Sequence, residues 1–285
     1  MTDEVREAIA AALGARVRGT RGLSGGDINE AHAVALDDGR EIFVKTNRRP
    51  PPGMFPVEAR GLEWLRQAGA VRVPEVLAAD ERYLALELLR PGKPGPKFDE
   101  ELGRGLAALH RAAPGGFGLD HDNFIGRLPQ SNGPAAAPGW AAFYRERRLE
   151  PQLESAAGAG LLPAALRRDF DRLFGRLDAL VGPEEPPARL HGDLWGGNLM
   201  CDAEGAPCLI DPAVYGGHRE MDLAMMRLFG GSRSAAFAAY HEAYPLAPGH
   251  AERVALYQLY PLLVHVNLFG GSYVASVASA LSSLV

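Results

Sequence analysis

Three polar residues, Asp193, Asn198 and Asp211, constrain this 285-residue chain more than any other feature. The first two stand in His191-Gly-Asp-Leu-Trp-Gly-Gly-Asn198, and the third heads Asp211-Pro-Ala-Val-Tyr215. Between them, Leu199–Cys201 and Pro207–Ile210 flank Asp202-Ala-Glu-Gly-Ala206, which reads as two short strands with a tight connection. The loops carrying the three residues therefore emerge at neighbouring ends of one ribbon. Singly, each Asp would pass as a turn residue, because Asp favours turns. An Asp, an Asn five positions later and a further Asp beyond a hairpin is the order that phosphoryl transfer uses. There the first carboxylate accepts the proton of the attacking hydroxyl, and the other two side chains offer oxygen to Mg2+. The spacing predicts Asp193 as the catalytic base and Asn198 and Asp211 as metal ligands.

The pattern of the remaining chain sets the architecture. Asp3–Leu13 reads as a helix capped by Thr2 or Asp3 and stopped by Gly14. Strands are predicted at Arg16–Leu23, Ala31–Leu36 and Glu41–Thr46, with Asp38-Gly39 as a hairpin signal. An amphipathic helix over Phe55–Gln67 and strands near Glu75–Ala79 and Tyr83–Leu88 follow. Pro91-Gly-Lys-Pro-Gly-Pro96 marks a boundary. Beyond it the pattern is helical over Phe98–Ala112, Pro138–Ala157 and Pro163–Leu180, then the ribbon, then helices from about Arg219 onward. The expected fold is α+β and two-lobed, a small antiparallel-sheet lobe over residues 1–90 and a helical lobe over residues 91–285.

The small lobe offers the parts that a nucleotide phosphate tail needs. Gly25 and Gly26, in Leu23-Ser-Gly-Gly-Asp-Ile-Asn29, would let the backbone approach a phosphate. The loop lacks the Gly-Lys-Ser/Thr ending of a Walker A sequence. Lys45 on the third strand can meet the phosphates, and Glu58 on the next helix can hold that Lys by an ion pair. Backbone groups of Glu87, Leu88 and Leu89 fall where an adenine would dock. Each feature alone fits a solvated or turn residue; their order along the chain favours function.

With these pieces in place, the chain resembles the fructosamine kinases, or ketosamine-3-kinases, within the aminoglycoside-phosphotransferase-like kinases. His191–Asn198 with its Trp195, Asp211–Ala224, Asp122-Asn-Phe-Ile-Gly126 with Gln130, Phe143–Gln152 and Leu259–Tyr273 carry the resemblance. It implies a protein-kinase-like fold, ATP and Mg2+ as cofactors, and phosphorylation of the 3-hydroxyl of a ketosamine, small or protein-bound. Loss of the resulting phosphate would free the amine. On the acceptor side it points to Asn123, Trp195, Tyr215, His218 and Glu220, with Asp222 bracing the catalytic loop. Trp195 as a core aromatic is the competing reading, and His218 also reads as a helix cap. Arg145, Arg147 and Arg148 lean away from a polycationic acceptor. An aminoglycoside, choline or homoserine kinase of the same fold, or a non-catalytic nucleotide-binding protein, are the alternatives.

Composition limits the partners. A net charge of −5 gives no reason to expect nucleic acid or an anionic membrane surface. No run is apolar and long enough to predict a membrane span, and the charged start of the chain does not read as a signal peptide. Two cysteines, Cys201 and Cys208, read as reduced thiols rather than a disulfide framework. The expectation is a cytoplasmic protein.

Overall fold

The computed structural model describes residues 1–23, 28–229 and 233–285. Helix α1 (Asp3–Leu13) begins where Thr2 Oγ1 accepts the Val5 N–H at 3.4 Å. It ends at Gly14, whose φ of 66° lies in the region that favours glycine. Strands β1 (Val17–Leu23), β2 (Glu30–Leu36) and β3 (Glu41–Thr46) follow, then α2 (Met54–Arg66), β4 (Val76–Asp80) and β5 (Tyr83–Glu87). The five strands form one antiparallel sheet in the order β1-β2-β3-β5-β4. The β2–β3 turn uses Gly39 at φ 90°, and Asp38 Oδ1 accepts the Arg40 N–H.

Strand alternation then sorts side chains to the two faces of the sheet. Ile42 and Val44 pack with Val5 and Ile9 of α1. Phe43 packs with the opposite cluster, built on Phe55, Leu62 and Leu65 of α2. Lys45, two residues beyond Phe43, therefore shares the α2 face. That second cluster continues without a break into the helical part of the chain, through Leu102, Leu106, Leu209, Leu223 and Tyr240.

The helical part comprises α3 (Phe98–Arg111), the hairpin β6 (Asn123–Ile125) and β7 (Leu128–Gln130), and α4 (Trp140–Phe143). A π-helical stretch, Tyr144–Leu149, joins α4 to α5 (Glu150–Gly158); α6 (Ala164–Phe174) and α7 (Leu177–Leu180) follow. Strands β8 (Ala188–Leu190), β9 (Leu199–Cys201), β10 (Pro207–Leu209) and β11 (Tyr215–Gly217) precede α8 (Glu220–Phe229), α9 (Ser234–Ala243), α10 (His250–Phe269) and α11 (Val274–Ser282). The third and largest apolar cluster gathers Phe143, Tyr144, Phe170, Leu190, Leu259 and Leu263 among these helices.

Three expectations change. The single helix expected over Pro138–Ala157 is interrupted by the π-helical turns, and the one over Pro163–Leu180 breaks at Gly175. The β6–β7 hairpin and the β8–β11 pair carry no strand signal, because three-residue strands are too short for alternation to register. The last omission matters most. β8 leads into the catalytic loop and β11 follows the second Asp loop, and the two pair with each other as β9 pairs with β10. Both loops are thereby closed by the same two ladders.

Helices α3 and α9 pack closely at Gly103. A Cβ at Gly103 would overlap the Ala236 carbonyl oxygen and crowd the Tyr240 nitrogen. Gly103→Ala should therefore lower stability by about 1–3 kcal/mol, although Ala is the better helix former. Gly158→Ala meets open space within α5 and should raise stability by up to about 1 kcal/mol. Denaturant midpoints of the two variants should move in opposite directions.

Candidate active site

The site assembles where β3, α2 and the two closed loops converge. Lys45 is 7% exposed, and its Nζ donates to Glu58 Oε1 at 2.6 Å and to Asp211 Oδ1 at 2.7 Å. Burial works against the ammonium charge, but Asp211 and Glu58 outweigh it and hold the Lys45 pKa above its ordinary value. Strand, helix and loop are thus tied through one cation.

Asp211 has a φ of 54°, the one positive value among the described residues other than glycine. Backbone in that region is strained for an ordinary side chain and persists only where its surroundings hold it. Here the following segment is pinned, since Ala213 N–H donates to His191 O at 2.9 Å and β11 pairs with β8. The two loops also meet at Asn198. Its Nδ2 donates to Asp193 O at 2.8 Å, to Asp193 Oδ2 at 2.9 Å and to Asp211 O at 3.3 Å. Its amide nitrogen is committed to the loops, which leaves the side-chain carbonyl oxygen for a ligand. An amide oxygen and the Asp211 carboxylate are hard donors suited to Mg2+. Among the described residues no group of three or more His, Cys, Asp or Glu forms a metal cage. Two protein oxygens completed by phosphate and water is the usual pattern for Mg2+ beside a nucleotide. The residues present fit that ion.

Burial pushes the Asp193 carboxyl up to about 7; the Asn198 hydrogen bond opposes this, and the neighbouring Asp211 and Asp222 carboxylates add to it. Asp222, 1% exposed, shapes the loop from behind. Its Oδ2 accepts the His191 N–H at 2.8 Å and its Oδ1 accepts the Gly192 N–H at 2.9 Å. His110 Nε2 lies 3.3 Å from Asp222 Oδ2, and His110 Nδ1 lies 2.8 Å from the Tyr240 hydroxyl. Gly192 takes φ 82°, and a Cβ there would overlap the Ala213 carbonyl, so this position of the loop requires glycine.

Other expected site residues fall in different surroundings. Gly25 and Gly26 lie outside the described residues. Glu87 uses its N–H on Glu75 O, and its carboxylate accepts from Arg72 at 2.6 Å; the strand ends there, before Leu88 and Leu89. Trp195 is 40% exposed, which removes its reading as a core aromatic. Its ring lies over Gly197 and lines a cavity of about 60 Å³ with Leu194, Leu199, Met226, Arg233 and Phe237.

Four tentative acceptor contacts need correction, because each is buried and engaged within the protein. Asn123 donates to Val214 O, and the Glu220 carboxylate takes two hydrogen bonds from Arg253, at 2.6 and 3.0 Å. Tyr215 lies fully buried under the Arg148 guanidinium. His218 accepts the Glu220 N–H at Nδ1, the capping role its position allowed; burial pushes its pKa down to about 4, with Glu185 opposing. Arg148 is itself 0% exposed and turns neither to solvent nor to a cleft. Asn132 and Tyr260, two buried partners of the β6–β7 hairpin, were not among the expected site residues. A polar residue in an irregular loop and a Tyr in an apolar helix carry no signal of that role.

Comparison with known proteins agrees with this geometry. The fructosamine kinase family profile matches residues 1–285. A protein of Thermus thermophilus named "Probable ketoamine kinase" is 42% identical over 269 residues, 92% of either chain. The "Protein-ribulosamine 3-kinase, chloroplastic" of Arabidopsis thaliana is 37% identical over 265 residues, 90% of this chain and 79% of that one. A crystal structure assigned as a fructosamine-3-kinase of Thermobifida fusca superposes with a TM-score of 0.93 at 38% identity, covering 100% of this chain and 99% of that one. The fold is the two-lobed, α+β protein-kinase-like fold. By its whole-length family match and these relatives, the chain belongs to the fructosamine kinase family.

Proposed function

We propose that this protein is an ATP-dependent ketosamine 3-kinase, with residues 1–90 as the nucleotide lobe and 91–285 as the catalytic and acceptor lobe. The observation that carries the reading is the joint placement of Lys45, Glu58, Asn198, Asp193 and Asp211 about one cation and two closed loops. The names of the relatives supply the acceptor class, ketoamines and ribulosamines. Asp193 orients the sugar hydroxyl and accepts its proton. A carboxyl poised near neutrality suits that exchange, and with a loose transition state, positioning contributes more than basicity. Lys45 offsets phosphate charge once nucleotide replaces its contact with Asp211, while Glu58 keeps it aimed. Asn198 and Asp211 would hold Mg2+, which supplies charge neutralisation at the phosphates. Trp195, exposed two residues past Asp193, offers a flat apolar wall to the acceptor.

The direct test is phosphate transfer from Mg-ATP to ribulose-, erythrulose- and fructose-lysine at equal concentration. Turnover on none of them, with intact ATP binding, would overturn the reading. Asp193→Asn should retain nucleotide affinity and lose roughly a hundredfold to ten-thousandfold in kcat. Asp211→Ala should raise the Mg2+ concentration for half-maximal rate more than Asn198→Ala, because a carboxylate holds Mg2+ more strongly than an amide. Trp195→Ala should raise the ketosamine KM, leave the ATP KM near its original value and, because the residue is 40% exposed and not in the core, lower stability by less than the roughly 3–5 kcal/mol of a core Trp.

A further inference from the structure

Arg148 is an anomalous charge. It is fully buried, yet no carboxylate pairs with it among the described residues. A buried cation without a counter-ion is costly and survives only where other groups stabilise it. Here Nη1 donates to Ser131 O and Arg147 O at 2.7 and 2.9 Å, and Nη2 donates to Asn132 Oδ1 at 2.7 Å. Nε has no partner. The guanidinium lies 3.8 Å from the Tyr215 ring centroid, with Phe143 at 4.9 Å and Tyr260 at 5.7 Å. Cation–π attraction of this kind strengthens when desolvated. The π-helical turn delivers the side chain: Tyr144, Arg148 and Leu149 are all buried, and Glu150 N–H reaches back five residues to Arg145 O. Such turns are rare and recur at functional sites.

The contacts of Arg148 lead to the Asp211 loop by two routes. Through Tyr215 the guanidinium presses on the residue four places beyond Asp211. Through Asn132 it reaches a chain of amides. Asn132 Nδ2 donates to Asn123 Oδ1 at 2.9 Å, and Asn123 Nδ2 donates to Val214 O at 2.8 Å. Gln130 Nε2 donates to Asn123 Oδ1 at 2.8 Å and to Ala213 O at 3.0 Å, while Gln130 Oε1 accepts the Tyr260 hydroxyl at 2.6 Å. Two consecutive carbonyls, two and three residues past Asp211, are thus gripped by side chains that are themselves held. Each link is buried, so a lost partner would leave a polar group unpaired. The strained φ of Asp211 needs a rigid support of this kind.

We propose that Arg148, Asn132, Asn123, Gln130 and Tyr260 form a buried brace that positions the Asp211 loop for metal and nucleotide. These are positioning residues: their side chains are buried and serve the metal loop. The inference rests on the reading of Asp211 as a Mg2+ ligand.

The test compares two isosteric deletions on α10. Tyr260→Phe removes the hydroxyl that orients Gln130. Tyr257→Phe, one turn earlier, removes a buried hydroxyl that donates to Val181 O at 2.6 Å and accepts from Trp140 Nε1 at 3.2 Å, both outside the brace. Tyr260→Phe should lower the melting temperature by about 2 °C, the effect of one buried hydrogen bond in a chain of this size, and Tyr257→Phe, which also leaves Trp140 Nε1 without its acceptor, by more. ATP-analogue affinity is then measured by calorimetry with and without Mg2+, in the absence of acceptor. Tyr260→Phe should lose roughly threefold to tenfold of the Mg2+-dependent gain in affinity and keep the metal-free affinity. Its kcat should fall with the acceptor KM unchanged, and Tyr257→Phe should match the original protein in both assays. Should Tyr260→Phe fail to fold, Gln130→Glu reads the same loss, since it removes the donor to both Ala213 O and Asn123 Oδ1 and keeps the shape. Unaltered Mg2+ dependence in Tyr260→Phe, an equal change in Tyr257→Phe, or an original protein whose nucleotide affinity ignores Mg2+ would overturn the brace. The calorimetry needs no acceptor, so absent turnover on every ketosamine would count against the proposed reaction while the binding result still decides the brace.

Discussion

A buried ammonium shared by two carboxylates is the interaction on which the rest of the site depends. Lys45 reaches Glu58 and Asp211, which are 13 and 166 residues away in sequence. Removing either carboxylate would leave a buried charge incompletely paired, a far costlier state than loss of a surface pair. The three groups therefore fix each other, and they fix strand β3, helix α2 and the Asp211 loop together. The apolar cluster beneath them runs from α2 into α3 and α8 without interruption. Polar tie and apolar packing thus join the sheet-bearing and helical parts along the same line.

The catalytic loop follows the same logic with main-chain groups. Asp222 accepts two consecutive N–H groups, those of His191 and Gly192, and Ala213 donates back to His191 O. Asn198 then binds the carbonyls of both Asp193 and Asp211. A short loop can hold a strained residue such as Asp211 only if its neighbours are over-determined, and here they are secured by two ladders and three buried side chains. Rigid support of this kind is what positioning-dominated catalysis requires, because a misplacement of about 1 Å in such a site can cost about a hundredfold in rate.

Outside the site the fold uses the tie between Arg72 and the ribbon to set the linker. Arg72 donates to Glu87 and to Asp202, each at 2.6 Å, and its carbonyl accepts the Leu209 N–H. Gly92 and Gly95 of the Pro-Gly linker donate to Cys201 O and Gly205 O. A Cβ at Gly92 would overlap the Asp202 carbonyl, so the linker approaches the ribbon as closely as glycine allows. The Pro-Gly run that punctuates the sequence is, in space, a docked segment.

The sequence by itself determined the strands and helices with strong periodicity, the helix stop at Gly14, the turn at Asp38-Gly39, and the order of Lys45, Glu58, Asp193, Asn198 and Asp211. These are local: period-two and period-3.6 patterns, turn chemistry and fixed spacing are written in neighbouring residues. What only the tertiary structure decided is which polar residues face outward. Arg145, Arg147 and Arg148 look alike in sequence, yet Arg145 is exposed and pairs with Glu150 while Arg148 lies buried against Tyr215. One π-helical turn makes that difference, and no periodicity announces it. The family resemblance points to Asn123, Tyr215, His218 and Glu220 as acceptor contacts, but their burial depends on partners as distant as Val214 for Asn123 and Arg253 for Glu220. A polar side chain is driven inward only when such long-range partners satisfy it, and that satisfaction is a property of the assembled fold.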